Sequence, residues 1–217
     1  MTKKVILVLV FVGLVAGGVF AQAQFRLSAG QGVYFTSDFG GGVKAPGDTM
    51  FVKTPYAGGG GFIFLDATFA ELSLGPWFGA SLWKMTPPDK LTGKTEFNMF
   101  YTGLDIGLLG KYPVIINNQL SIFPLLGINY RLVLALEDED TKYADPIDHS
   151  ALWFRLGGGL DYSFTNIIYL RAGVLYGLRL ANKYENNMLD NYPGMDTKTL
   201  PGHGLEVKLA VGFRFYP

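Results

Sequence analysis

The sequence predicts an all-β fold: one eight-stranded antiparallel up-and-down transmembrane β-barrel, preceded by a cleavable signal peptide. Three observations carry the prediction. Bulky apolar residues alternate with small or charged ones in eight separate stretches, and no helical period of 3.6 persists after Ala23. The connections between these stretches alternate between short ones and long polar ones. The positions between the bulky residues hold mostly Gly with isolated Arg, Asp and Glu, whereas a wet sheet face carries Lys, Glu, Thr and Ser.

The leader reads "MTKKVILVLVFVGLVAGGVFAQAQF". Lys3 and Lys4 make a positive start, Val5 to Val19 is apolar, and small residues before Ala21 and Ala23 suit a signal peptidase. Residues 1–21 are read as the signal peptide, with cleavage after Ala23 as the alternative, and 24–217 as the barrel domain. The apolar run is short for a helix that spans a bilayer, which takes about 20 residues. The 217-residue chain has no Cys, so disulfides, thiolate metal sites and a lipid-acylated N-terminus are excluded. Without Lys3 and Lys4 it carries 16 basic and 18 acidic residues, no electrostatic footprint for nucleic acid.

The expected strands follow in order. The first is "FRLSAGQGVYF", Phe25 to Phe35, followed by a Gly-rich polar segment, Thr36 to Pro55. The second, Ala57 to Leu65, holds four consecutive glycines that leave its facing open, and Asp66 to Thr68 is read as a tight connection. The third runs from Phe69 to Trp83, the fourth from Phe97 to Leu109 and the fifth from Gln119 to Leu136, with "GKYPVIINN" as the short link before the fifth. The sixth, Leu152 to Phe164, turns tightly at Thr165 and Asn166 into the seventh, Ile167 to Leu180. The longest loop, Ala181 to Gly202, leads to the eighth, Leu205 to Phe215. Eight is even, so the chain ends on the side where it began, and strands that close into a ring leave no backbone amide unpaired in hydrocarbon.

Parity separates the two faces. The sixth strand sets Leu152, Phe154, Leu156, Leu160, Tyr162 and Phe164 against Trp153, Arg155, Gly157, Gly159, Asp161 and Ser163. Eight strands enclose only enough room for packed side chains, so the inner face must be small or ion-paired. The expected lumen charge network is Glu71, Asp105, Arg131, Arg155, Asp161, Arg171, Glu206 and Arg214; with Arg26, Arg179 and Lys208 added, its surplus is basic. Aromatics expected in two interfacial girdles are Phe25, Phe35, Phe97, Tyr101, Tyr162, Phe164, Phe213 and Phe215.

From Phe25 to Pro217 the chain resembles the small eight-stranded outer-membrane barrels, the group of the OmpA, OmpX, OmpW and opacity-type proteins. The most specific piece is the ending "LAVGFRFYP". It is similar to the sorting pattern of such barrels through Lys208, Gly212, Phe213 and Phe215, with Tyr216 and Phe215 standing where the family ends in an aromatic and this chain has Pro217. The resemblance implies a bacterial outer-membrane location, with membrane lipid and the barrel-assembly machinery as partners. Mature length and long loops fit the OmpW and opacity branches. Trp83 and Trp153 share the inward parity near the outer rim. They either plug the mouth or line an apolar funnel for a small hydrophobic ligand, which the likeness to OmpW implies.

No enzyme, cofactor or metal site is expected. Asp148, His149 and Ser150 are adjacent on an extended chain and point to opposite faces, so they form no relay by themselves. The acidic run Glu137 to Asp140 lacks the spacing of a calcium loop and reads as a solvated tip. The function this predicts is either an anchor for surface loops that supports the envelope or a narrow path for small hydrophobic solutes. The rival is a secreted soluble β-sandwich or lipocalin-like binder, which needs the reverse facing.

Overall fold

The computed structural model describes residues 26–44, 50–53, 56–86, 96–138, 149–180 and 198–215. The signal-peptide expectation lies outside them. Ten strands follow one another: β1 (Leu27–Lys44), β2 (Met50–Lys53), β3 (Tyr56–Ala67), β4 (Ala70–Thr86), β5 (Glu96–Lys111), β6 (Val114–Ile115), β7 (Leu120–Asp138), β8 (Ala151–Ser163), β9 (Ile168–Arg179) and β10 (Lys198–Arg214). Two of them prolong a neighbour. β2 lies between β1 and β4 above β3, and β6 carries the β5–β7 register past Pro113. The staves therefore number eight, all antiparallel, and β10 closes the ring on β1 from Ser28↔Arg214 to Lys44↔Lys198.

The register fixes the geometry of the ring. Partners run Ser28, Asp66, Glu71, Leu109, Gly127, Arg155, Gly177, Gly204 and back to β1 at Asp38. The return lies ten residues beyond the start. With eight staves about 4.8 Å apart and a rise of about 3.3 Å per residue, that shear tilts the strands by about 41° and sets a backbone diameter of about 16 Å.

Side chains obey this wall. Along β8 and β9 burial alternates residue by residue, apart from the Gly157–Gly159 run. Bulky apolar residues point outward and stay exposed, among them Phe35, Ile63, Phe78, Leu126, Leu156, Val174 and Leu209. This facing rules out the soluble sandwich and the lipocalin-like binder. On β10 the outward residues between His203 and Phe213 are Leu205, Val207, Leu209 and Val211. That ten-residue span rises about 25 Å along the axis, the height of an outer-membrane apolar band.

Four strand readings change. β1 continues past Phe35 to Lys44, because Gly40 and Gly42 stay paired with β10, and Gly42 with β2, instead of forming a loop. Asp66 is not in the turn; it lies within β3 with its side chain buried. Phe35 stands in mid-wall, opposite Val207, and so is no girdle residue. Tyr101 points into the lumen, where its hydroxyl meets Ser81 Oγ at 2.9 Å. Tyr162 and Phe164 pack edge to face outside, near Phe213 and Phe215 at the short-turn rim. Phe25 and the Phe97 side chain lie outside the described residues.

Candidate functional site: the barrel lumen

Inward positions of all the staves converge on one narrow interior, so every charge there must find a partner inside it. The layer nearest the short turns centres on Arg171 of β9, 4% exposed. Its Nε donates to Asp161 Oδ1 at 2.7 Å and its Nη2 to Asp161 Oδ2 at 2.8 Å, while Nη1 reaches Glu71 and Nη2 also reaches Asp66. Lys111 donates to the same Asp66 carboxylate. The guanidinium lies 4.9 Å from the Phe64 ring centre and 5.2 Å from that of Phe123, both inward-facing. Ser28 and Tyr169 close this layer with a 2.8 Å hydroxyl contact.

The middle layer holds Glu206 between two cations, Arg155 Nη2 and Lys208 Nζ, each at 3.3 Å. Arg155 covers the Trp153 ring at 4.6 Å and Lys208 the Phe62 ring at 5.2 Å. In the upper layer Arg131 Nη1 donates to Asp38 at 3.0 Å and Nε to Asp105 at 3.3 Å, with Asn129 on the other Asp105 oxygen. The Arg131 guanidinium lies over the Trp77 ring at 4.5 Å and the Trp153 ring at 5.4 Å. Above it Met99, Tyr101, Val133 and Leu136 make an apolar cap. A bulge in β7 puts both Leu134 and Ala135 outside, which turns Leu136 inward.

The structure thus places seven of the eight expected network residues in three ionic layers. Arg214 is the exception: half-buried at the short-turn mouth, it lies over the Tyr169 ring at 4.7 Å. Sequence reasoning missed Asp38, Asp66 and Lys111. Extending the inward parity of Tyr34, Phe64 and Leu109 by a few residues reaches all three. With them, and with the half-buried Arg26 and Arg214 left at the short-turn mouth, the basic surplus disappears: among the described residues Asp38, Asp66, Glu71, Asp105, Asp161 and Glu206 face Lys111, Arg131, Arg155, Arg171, Arg179 and Lys208.

The remaining candidates fall as follows. Trp153 lies inside, 2% exposed, between two arginines, and the Trp83 side chain lies outside the described residues. Lys208 and Gly212 face the lumen, Phe213 and Phe215 face outward, and Tyr216 lies outside the described residues. Ser150 Oγ accepts from the Val133 amide at 2.9 Å, and the His149 ring lies 6.4 Å from that of Tyr101; Asp148, Glu139 and Asp140 are outside the described residues. The eighth strand starts earlier than Leu205, at Lys198, and takes in His203. His203 sits on β10, stacked on Phe39 and hydrogen-bonded through Nδ1 to the Tyr176 hydroxyl. Among the described residues no three His, Asp or Glu side chains gather where a metal ion could sit.

A closed antiparallel ring of eight staves, an apolar outer band about 25 Å tall, a polar interior, short turns at one rim and the longer connections at the other define the architecture. The chain folds as a small closed eight-stranded transmembrane β-barrel. No family model and no curated protein matches it. Solved structures that resemble it include the outer-membrane protein OprG of Pseudomonas aeruginosa, at 11% identity over 89% of this chain and 97% of that one, with a TM-score of 0.49. Neisserial surface protein A follows at 11% identity over 85% and 97%, with a TM-score of 0.40. The N-terminal barrel domain of P. aeruginosa OprF has 18% identity over 88% and 100%, with a TM-score of 0.36. At these values the architecture rests on the chain's own register and facing.

Proposed function

We propose that this barrel is a sealed outer-membrane anchor for surface loops, which supports the envelope and contacts the surroundings. The observation that carries the reading is the occupied lumen: three ion-paired layers, each stacked on aromatic rings, lie across a ring only about 16 Å wide between backbones. The longer connections, β1 to β3 by way of β2, β4 to β5, β7 to β8 and β9 to β10, all leave from the rim opposite the short turns. No catalytic role is assigned, because His149 and Ser150 are used in packing and in a backbone bond. The C-terminal stretch of the sequence, with Lys208, Gly212, Phe213, Phe215 and Tyr216, would be read by the barrel-assembly machinery.

The second reading, a narrow path for small hydrophobic solutes, draws support from the apolar cap of Met99, Tyr101, Val133 and Leu136. Such a solute would meet Arg131 and its paired carboxylates directly beneath the cap. The test is single-channel recording on the refolded chain, with uptake of a small apolar dye into vesicles alongside. The anchor reading expects no conductance steps and no uptake above protein-free vesicles. Reproducible steps or protein-dependent uptake would overturn it.

A further inference from the structure

The lipid-facing wall is not evenly covered. Beside β3 runs an open groove of about 720 Å³, walled by Val33 of β1 and by Leu74 and Pro76 of β4, with Gly61 as its floor and Gln31 at one end. Three independent features converge there.

The first is the floor. A Cβ at most of this wall's glycines collides with backbone, as at Gly75 against Phe62 Cα. A Cβ at Gly61 would meet only the Gly32 carbonyl, at 3.7 Å, an ordinary contact. Packing does not require glycine at 61, and its bareness is what keeps the groove open. The second is Gln31. Its side chain points outward and makes no hydrogen bond among the described residues. A carboxamide without a partner is unfavourable in hydrocarbon. Gln31 pairs with Val211, two residues from Phe213, so it stands about 5 Å above the short-turn rim. That level lies just inside the edge of the apolar band, at the depth of the ester groups of the periplasmic leaflet. The third is the wall itself. The β3–β4 ladder is interrupted between Gly59↔Phe78 and Ile63↔Leu74, opposite Pro76, which has no N–H to donate. Tyr34 patches the break from the lumen, donating its hydroxyl to the Pro76 carbonyl at 3.1 Å. Nothing among the described residues covers it from the lipid side.

We propose that this groove seats one diacyl phospholipid of the periplasmic leaflet, with its ester and glycerol oxygens at Gln31 and an acyl chain laid over Gly61 against Pro76. The groove opens only to the bilayer, so its occupant is a lipid, and the amide at that depth selects one with ester oxygens there. A second groove of about 530 Å³ over Gly158 and Pro124 is bordered by apolar side chains alone and provides the internal control.

The test is native mass spectrometry of the refolded chain in detergent, titrated with dioleoyl phosphatidylethanolamine. The wild type is expected to retain one lipid preferentially. Gly61→Leu and, separately, Val33→Trp fill the groove from its floor and its side and should weaken that binding at least about tenfold. Gln31→Leu should weaken it about three- to tenfold, the loss of one hydrogen bond. Gly158→Leu should leave it unchanged. Heat-modifiable gel migration verifies that each variant is folded, and either filling variant suffices. Wild-type retention in a folded Gly61→Leu or Val33→Trp chain, or an equal loss in Gly158→Leu, would overturn the proposal.

Discussion

Replacing Arg171 with Met is the sharpest test of the lumen's energetics. The side chain is 4% exposed and ties together Asp66, Glu71 and Asp161 from three staves. Met matches its length without its charge. Asp66 keeps Lys111, while Glu71 and Asp161 retain no other ion pair among the described residues. Removing one partner of a buried pair destabilises by about 3–5 kcal/mol, because the remaining charge stays desolvated. Two carboxylates are stranded here, so the upper end of that range is expected. With a urea slope of about 2 kcal/mol per M, the unfolding midpoint of the refolded protein in lipid vesicles should fall by about 2.5 M. The origin of the loss can be isolated. Adding Glu71→Gln and Asp161→Asn to Arg171→Met removes the stranded charges and should recover most of the midpoint, as neutral replacement of a buried network often does. A midpoint shift under about 0.3 M for Arg171→Met would mean the layer is solvated, and the packed-lumen argument would fail.

Four further outcomes follow from the same coordinates. Gly157→Val drives a Cβ to 2.8 Å from Leu175 Cα and should lower stability by about 1–3 kcal/mol. Gly158→Val meets only the Phe123 carbonyl at 3.4 Å and should stay within about 0.5 kcal/mol of wild type in the same urea assay. Tyr34→Phe removes the hydroxyl that holds the Pro76 carbonyl and should destabilise by about 1–3 kcal/mol, with faster amide exchange confined to Gly60–Phe62 and Gly75–Trp77. Arg131→Met leaves Asp38 and Asp105 without their shared cation and should destabilise by about 3–5 kcal/mol without opening a conducting path, since Trp77 and Trp153 still fill that level.

Much of this barrel is legible in the sequence because hydrocarbon imposes a simple rule. Bulk must face out and every inward charge must pair, so parity along the stretches containing Leu156, Val174 or Leu209 assigns both faces at once. The rule fails where other physics intervenes. Gly40–Gly42 resemble a loop, yet glycine also pairs in a ladder, and β1 runs on to Lys44; ending the strand at Phe35 leaves Asp38 out of the network. Asp66 beside a turn looks like a turn residue, although it shares the inward parity of Phe62 and Phe64. The β7 bulge shifts parity by one residue in "RLVLALED", where alternation alone gives no sign of it. Tyr101 lies near a strand end, which suggests a girdle, whereas its parity with Asp105 decides its direction. In the lumen the ion-pairing partners come from distant strands, as with Arg131 and Asp38 or Arg171 and Glu71, and only the ten-residue shear brings them to one level.

The most direct measurement of the central claim is a nitroxide scan along β9. The chain has no Cys, so a single cysteine at each position from Gly173 to Leu178 gives a unique label. In lipid vesicles, labels at Val174, Tyr176 and Leu178 should collide freely with dissolved oxygen, while those at Gly173, Leu175 and Gly177 should be shielded from oxygen and from a water-soluble nickel chelate alike. A reversed pattern, or uniform access to the nickel chelate along the strand, would contradict an apolar exterior wrapped around a packed, charge-matched interior.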